Sequence, residues 1–289
     1  MRELNFKSKK PLLYLLATPI GNLGDISNRF IEVINDVDIV ACEDTRVSGK
    51  LLNHLGVKKQ LISLHEHNEV SSSEKIVKLI LSGKKVAYMS DAGFPCVSDP
   101  GQKLVEIALK NEINVTCVPG ANAALIALAA SGLPSDHFYF HGFLSAKESE
   151  KIKELKYLEC KPETMIFYEA PHRIKKTLEL LYKILGNRRI CIARELTKIH
   201  EEFIRGKLDE IVFIDEQTLK GEMVLVVEGK QEDKVIALDD FSLVDMVKKQ
   251  IENGLSTKDA VKNVSEETQI SKNYIYNLYS NTVLKQNRN

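Results

Sequence analysis

The chain has 289 residues, a length that predicts two domains at about 150 residues per domain. Hydrophobic residues make up 44% and charged residues 28% of the chain, which is typical of folded globular proteins and argues against wholesale disorder. Forty Lys and Arg residues balance forty Asp and Glu residues, so any attraction to nucleic acid has to come from a local patch.

The N-terminal 20 residues combine basic residues with an apolar stretch, as a signal peptide does. Gly21, Asn22, Gly24 and Asp25 interrupt that stretch, and no small-residue cleavage site precedes them. The longest wholly apolar run, at 123–130, is too short to span a bilayer. The five cysteines are scattered and include no CxxC pair, which favours reduced thiols. We therefore expect a cytoplasmic protein without a membrane span.

In the first half, short apolar runs end in clusters of Gly, Pro or polar residues, and helix-like segments follow them. These runs are predicted strands at 12–17, 38–42, 86–89 and 115–118. Strands that are apolar on both faces and alternate with helices indicate a mostly parallel sheet covered on both sides. Ligands bind at the carboxyl ends of such strands, so we expect the loops there to line one crevice.

The second half continues with a predicted helix at 123–131 and a further set of strands and helices. The strands are predicted at 137–143, 165–170, 189–193, 202–206, 208–211 and 222–228, and the helices at 149–158 and 173–185. The spacing becomes hairpin-like near Gly206 and Gly221, which indicates a mixed sheet. We expect an α/β protein with a first domain over 1–120, a second over 121–230, and a break near 119–124.

The composition changes after Gly229. Residues 231–238 are typical of a linker, and helices are predicted at 241–253, 257–267 and 272–281. The last two resemble a helix-turn-helix. Residues 230–289 carry nine Lys and Arg against nine Asp and Glu, so a helical packing module and a nucleic-acid reader both fit this extension, which covers 231–289.

Loops in the first half could hold a ligand. Gly21 and Gly24 would let the backbone approach a ligand, although their spacing fits no phosphate-binding fingerprint and a plain turn is the alternative. The stretch 90–101 holds two glycines, two prolines, two aspartates and two serines, which indicates a shaped binding surface. In it, Asp91 could accept hydrogen bonds from an ammonium group or cap a turn. The turn at 119–122 has small side chains that a planar ring could approach.

Charged clusters follow other predicted strands. His65 and His67 lack a third ligand at metal-site spacing, so an acid–base or substrate role is favoured over a metal. Residues 171–207 carry ten Lys and Arg against four Asp and Glu. Of these cations, Arg173, Arg194 and Lys198 stand at strand ends, where they could bind phosphates. The alternative is a charged surface held together by ion pairs.

A series of motifs in fixed order carries a family resemblance. They are ATPIGNLGDI at 17–26, EDTR at 43–46, HEHNE at 65–69, SDAG at 90–93, SDPG at 98–101, PGA at 119–121, SGLP at 131–134, YEAPHR at 168–173, RELTK at 194–198 and GE at 221–222. Together they resemble the small-subunit ribosomal RNA 2′-O-methyltransferase I family of the tetrapyrrole-methylase superfamily. The match runs from about residue 11 to 229. Phe94, Asn122 and Ser145 depart from it, since Thr, Ser and Pro are usual there.

The resemblance implies two α/β domains of the tetrapyrrole-methylase type, with S-adenosylmethionine in the interdomain cleft, and a C-terminal helical module. It also implies a homodimer that acts on 16S rRNA, which we expect to lie within the small ribosomal subunit. Methyl transfer from a sulfonium requires no metal, because the methyl group is already activated, so no metal is expected. The product would be a 2′-O-methylcytidine in the decoding region. The alternatives are a small-molecule, tetrapyrrole-like methyltransferase of the same fold and a DNA-binding regulator that uses the C-terminal helices.

Site residues follow from the resemblance and the loop positions together. The expected cofactor-binding residues are Pro19, Gly21, Asn22, Leu23, Ser90, Asp91, Ala92, Gly93, Phe94, Pro119, Gly120, Ala121, Asn122, Tyr168 and Glu222. The expected RNA-binding residues are His172, Arg173, Arg194 and Lys198. The catalytic candidates are Glu43, Arg46 and His67. A ribose hydroxyl needs a base to take its proton, for which Glu43 or His67 is preferred, and Arg46 would position the RNA backbone.

Overall fold

The computed structural model describes residues 10–231, 239–268 and 270–286. Residues 232–238 of the predicted linker lie outside these ranges. Contacts group the chain up to Lys230 into one unit and the chain from Gln231 onward into another. Within the described ranges, no helix is long and apolar enough to cross a membrane.

Over residues 10–231, five parallel strands form the first sheet. They are β1 (Leu12–Leu16), β2 (Ile39–Cys42), β3 (Gln60–Ser63), β4 (Val86–Met89) and β5 (Asn114–Val118). Their order in the sheet is β3-β2-β4-β1-β5. The helices that follow them are α1 (Asn28–Asp36), α2 (Thr45–His54), α3 (Glu69–Leu81) and α4 (Gln102–Lys110), and a 3-10 turn covers Leu23–Asp25.

Strand β4 shows why the sequence predicted this sheet. All four of its residues are buried, and their side chains alternate between two cores. Val86 and Tyr88 pack in one apolar cluster, whereas Ala87 and Met89 pack in the other. Successive side chains of a strand point to opposite faces, so a strand covered by helices on both faces has to be apolar throughout.

The same residues 10–231 hold a second, mixed sheet. Its strands are β6 (Phe138–Phe143), β7 (Thr164–Glu169), β8 (Arg189–Arg194), β9 (Glu202–Lys207) and β10 (Met223–Val227). The order is β6-β7-β10-β8-β9; β6 and β7 are parallel and the other pairs antiparallel. Its helices are α5 (Ala123–Ser131), α6 (Glu148–Leu158), α7 (Ile174–Leu185) and α8 (Leu208–Ile211), and a 3-10 turn covers Glu216–Thr218.

The strand predicted at 208–211 is wrong, because the structure has the short helix α8 there. Leu208 and Ile211 are both buried in the core of the second sheet. Residues three apart share a face of a helix but not of a strand. The Glu210 carboxylate also accepts a hydrogen bond from the Lys207 backbone N–H at 3.1 Å, which fixes the start of the helix.

The C-terminal unit contains the three helices that the sequence predicted, within the described part of the chain. They are α9 (Asp240–Glu252), α10 (Thr257–Thr268) and α11 (Lys272–Gln286), the last extending beyond its predicted end at 281. Their shared apolar cluster includes Leu243, Val247, Val261, Val264 and Ile275. This unit therefore has a small hydrophobic core of its own.

Candidate functional site

The loops after β1, β4 and β5 converge, because these strands are neighbours in the first sheet. Thr18 and Gly93 exchange two backbone hydrogen bonds, with N–O distances of 2.9 and 3.1 Å. Gly120 lies so close to β1 that a Cβ there would come 2.9 Å from the Cβ of Ala17. The three loops that sequence analysis selected therefore form one continuous surface.

Contacts at two glycines bring this surface against the end of the second sheet. A Cβ at Gly21 would lie 2.5 Å from Cγ of Lys198, in the loop after β8. A Cβ at Gly142, in β6, would lie 2.9 Å from Oγ of Ser98 in the 90–101 loop. Gly21 and Gly142 have positive φ angles of 149° and 80°, so the backbone conformation also favours glycine there. The strand ends of the two sheets, with the loops that follow them, consequently enclose a cleft.

A cavity of about 380 Å³ lies in this cleft, and we call it the inter-sheet cavity. Five of the predicted cofactor residues line it: Ala92, Phe94, Asn122, Tyr168 and Glu222. Its other lining residues are Ile20, Val97, Ser98, Asp99, Ala123, Phe143, Glu169, Ala170, Pro171, Leu196, Met223 and Val224. This volume, with a mostly apolar lining and a few polar groups, is typical of a small-molecule site.

The remaining predicted cofactor residues lie elsewhere on the same loop surface. Four of them line a second cavity, of about 280 Å³, which is bordered by Thr18, Pro19, Gly21, Leu23, Lys50, Leu51, His54 and Asp91. Asn22 accepts a hydrogen bond from the Gly24 backbone N–H at 2.9 Å and so caps the turn. The loop residues Ser90, Gly93, Pro119, Gly120 and Ala121 do not border either cavity. The structure thus brings the predicted set onto one surface, where five of its residues line the inter-sheet cavity, four line the second cavity and six border neither.

Carboxylates gather at the ends of β2 and β4. The Asp91 carboxylate accepts a hydrogen bond from the Asp44 backbone N–H at 3.1 Å. Burial, together with the negative charges of Glu43 and Asp91, raises the pKa of Asp99 to about 6, and a hydrogen bond with Ser90 offsets only part of this rise. Burial also raises the pKa values of Glu43 and Asp91. A cation in this part of the cleft would therefore be favoured over an anion.

Sequence reasoning did not assign Asp99, although it quoted the SDPG motif that contains it. An aspartate before a proline in a turn is ordinary, and the local sequence does not reveal burial. Asp99 is half-buried and lines the inter-sheet cavity.

The catalytic candidates occupy different environments. Besides burial, the charges of Asp91 and Glu66 raise the pKa of Glu43, so this carboxylate belongs to the acidic cluster. The Arg46 side chain is 87% exposed, and its Nη2 lies 2.6 Å from Oδ2 of Asp44. His67 is exposed, with its ring centroid 5.9 Å from that of His65. Over the described ranges, no group of three or more His, Cys, Asp or Glu side chains is placed to hold a metal ion.

Glu169, in the floor of the inter-sheet cavity, is the centre of a buried charged network. Its Oε2 lies 3.4 Å from Nζ of Lys151 and accepts a hydrogen bond from the Thr177 hydroxyl at 2.5 Å. Its Oε1 lies 3.0 Å from Nε of Arg173. Arg173 Nη2 also donates to the Leu144 carbonyl at 2.5 Å. This network fixes the turn after β7 to the loop after β6.

The other predicted RNA-binding cations, Arg194 and Lys198, also form ion pairs with carboxylates. Arg194 Nε donates to Oε2 of Glu202 at 2.5 Å. Lys198 Nζ lies 3.0 Å from Oε1 of Glu195 and 3.1 Å from Oε2 of Glu222. His172 is exposed in the turn before α7. The RNA-binding role of these residues stays a prediction, to which the structure adds that the cations at 173, 194 and 198 already contact carboxylates.

Comparisons with known proteins agree with this architecture. The family model described as Tetrapyrrole (Corrin/Porphyrin) Methylases matches residues 12–212. A protein from Halalkalibacterium halodurans named ribosomal RNA small subunit methyltransferase I is 44% identical over 277 residues, which cover 94% of this chain and 96% of that protein. A protein of the same name from Bacillus subtilis is 42% identical over 285 residues, or 96% and 98% of the two chains. The solved structure of the methyltransferase CobJ matches with a TM-score of 0.58 at 18% identity, over 76% of this chain and 95% of that one, a likeness of fold alone.

Proposed function

The chain belongs to the tetrapyrrole methylase family, and we propose that it transfers a methyl group from S-adenosylmethionine to the ribose 2′-oxygen of a cytidine in the decoding region of 16S rRNA. The observation that carries the choice of rRNA is the identity of 42–44% to small-subunit rRNA methyltransferases over 94–96% of the chain. We expect the protein to act in the cytoplasm as a homodimer, on rRNA within the small ribosomal subunit.

The inter-sheet cavity suits the methyl donor in chemistry and size. S-adenosylmethionine carries two positive groups, the sulfonium and the ammonium, and an adenine ring. Asp99, which lines the cavity, would attract the positive groups, since burial and the negative charges of Glu43 and Asp91 disfavour its own negative charge. Apolar side chains such as Ile20, Leu196 and others of the lining would contact the ring.

The residues of the chain would then have to align the reactants and take up a proton. When bound, S-adenosylmethionine supplies a methyl group that is already activated by the adjacent sulfonium. Glu43 is the preferred base: its carboxylate would accept the proton of the ribose 2′-hydroxyl as that oxygen forms its bond to the methyl carbon. The raised pKa of Glu43 supports this role, because it makes the carboxylate a stronger proton acceptor. Alignment of the reactants by residues at the strand ends of the two sheets would supply most of the rate acceleration.

The proposed function is tested by mapping 2′-O-methyl groups on small-subunit rRNA from cells with and without the protein. We expect one decoding-region cytidine to lose its ribose methyl group in cells without the protein. Purified protein and S-adenosylmethionine should restore the modification on small subunits from those cells. An unchanged methylation map would contradict the proposal.

The choice of base has a separate test. We expect Glu43→Ala to slow single-turnover methyl transfer at least a hundredfold, within the usual contribution of general-base catalysis, while S-adenosylmethionine still binds. His67→Ala is the matched comparison, because His67 is the other candidate. If the Glu43 variant keeps a near-normal rate and the His67 variant does not, the base is His67.

A further inference from the structure

Strand β6 is irregular next to the inter-sheet cavity. Phe140 pairs with Ile166 of β7, and Gly142 pairs with the next residue, Phe167, so one extra residue is inserted in β6. In a regular strand, residues 140 and 143 would point to opposite faces. Here both rings contact Tyr168 edge-on, with centroid distances of 5.2 Å for Phe140 and 5.4 Å for Phe143. The bulge therefore turns Phe143 onto the face of the sheet that borders the cavity.

Phe143 combines cavity lining with solvent exposure. It borders the inter-sheet cavity, yet 56% of its surface remains exposed, so it lies at the mouth. Tyr168, against which it packs, is half-buried and lines the same cavity. The ring of Phe143 is thus supported on one side and accessible on the other.

The bulge is also fixed against the first sheet. Gly142 has a φ of 80°, and Oγ of Ser98 lies 2.9 Å from the position that a Cβ would take. Ser98 directly precedes Asp99, the carboxylate that lines the cavity. Phe143 consequently stands beside the junction of the two sheets, close to the loop that carries the charged part of the site.

We propose that Phe143 is a stacking surface for the target nucleobase, which it holds out of the RNA stack while the methyl donor fills the cavity behind it. This inference rests on the proposed function. A ribose oxygen reaches a recessed cavity more readily when its nucleotide leaves the neighbouring stack, and proteins commonly hold unstacked RNA bases on aromatic rings. A stacked base gains affinity without base-specific hydrogen bonds, because every base has a π-face.

The inference is tested by Phe143→Ala, with Phe143→Tyr as the conservative variant and Phe138→Ala as the matched control. Phe138 is in the same strand, is 43% exposed, and does not border the inter-sheet cavity. With unmethylated small subunits as the substrate, we expect Phe143→Ala to raise the KM for small subunits about tenfold, the loss of affinity expected for one stacked base. The dissociation constant for S-adenosylmethionine, measured by calorimetry, and the melting temperature should stay unchanged. Phe143→Tyr should restore KM, and Phe138→Ala should leave it unaffected.

Contrary results separate the inference from the proposed function. An unchanged KM in Phe143→Ala, with an active wild-type protein, would overturn the stacking role alone. So would weaker S-adenosylmethionine binding, whatever the KM, since Phe143 would then belong to the donor site. If the wild-type protein places no 2′-O-methyl group on small subunits, the proposed function fails and the inference fails with it.

Discussion

The strand ends of the two sheets face each other across the cleft, but they differ in whether their charged side chains have partners of opposite charge. At the first sheet, Asp44 is paired with Arg46, but the groups that act on Asp99 are Glu43, Ser90 and Asp91, and none of them is a cation. We call the strand ends around Asp99 the unpaired edge. At the second sheet, Glu169 is paired with Lys151 and Arg173, and Lys198 with two carboxylates. We call the region around Glu169 and Lys198 the paired edge. A position at a strand end is therefore insufficient to identify a ligand site. Charges already paired within the protein stabilise its structure, whereas unpaired like charges leave affinity for an external ion.

The largest effect is expected at the paired edge, from Lys151→Met. The Lys151 and Glu169 side chains are only 6% and 0% exposed, and Lys151 Nζ also donates to the Thr177 hydroxyl at 2.7 Å. Removing the lysine takes one partner from a buried carboxylate that keeps Arg173 and Thr177, so we expect a loss of about 1–3 kcal/mol, the usual cost of breaking a buried hydrogen bond. Urea denaturation would measure this loss in the free energy of unfolding.

The control for this variant is Lys85→Met. Lys85 pairs with Asp36 at 2.6 Å, but the side chains are 58% and 54% exposed. Exposed pairs contribute about 0–1 kcal/mol, so this loss should be small. Equal losses in the two variants would mean that burial of the Lys151–Glu169 pair has no structural importance.

At the unpaired edge, Asp99→Asn should weaken S-adenosylmethionine binding about tenfold, within the range for a hydrogen-bonded charge. A cationic ligand prefers the ionised carboxylate, and the pKa of Asp99 is about 6 in the free protein. The wild-type affinity should therefore decrease as the pH is lowered through 6, whereas the affinity of Asp99→Asn should stay flat. Calorimetry between pH 5 and 8 would measure both. Glu106→Gln, on the exposed side of α4, should retain the wild-type pH profile.

A smaller effect of the same variant concerns stability without ligand. The pKa of Asp99 is raised by folding, so ionisation of this group destabilises the folded state as the pH rises from about 4 to 6. Asp99→Asn removes that penalty and should raise the melting temperature at pH 7 but not at pH 4. A lower melting temperature at pH 7 would show that the ionised carboxylate stabilises the fold instead.

The sequence predicted the regular strands better than it predicted the edge strand, the buried loop residues and the bulge. Strands such as β2 and β4 were predicted because helices cover both of their faces, which requires a continuous apolar run. The edge strand β3 was missed, since only Leu61 and Ile62 between polar ends are apolar. Asp99 and Phe143 were missed for a different reason. Burial and a one-residue bulge depend on contacts with distant segments, which local patterns do not contain.

The same limit applies to the charged groups of the second sheet. Lys151 and Glu169 are 18 positions apart, and their pairing follows from the packing of α6 against β7. Arg173, Arg194 and Lys198 were predicted from a real basic surplus. The sequence alone did not reveal which carboxylates would contact them. Of the three, Lys198 has the partner that is most easily exchanged, since the Glu222 carboxylate is 81% exposed.

The smallest effect is therefore expected from Lys198→Ala in RNA binding. An exposed ion pair is weak, so the lysine can exchange Glu222 for an RNA phosphate. Loss of one phosphate contact should lower RNA affinity a few-fold, irrespective of RNA sequence, and reduce the slope of log K against log salt by about one. The control is Lys85→Ala, which should change neither quantity, because Lys85 directly precedes β4 and so lies at the end of that strand away from the cleft. If the slope for Lys198→Ala equals that of the wild type, Lys198 serves only to hold Glu195 and Glu222, and the paired edge contributes no phosphate contact at this position.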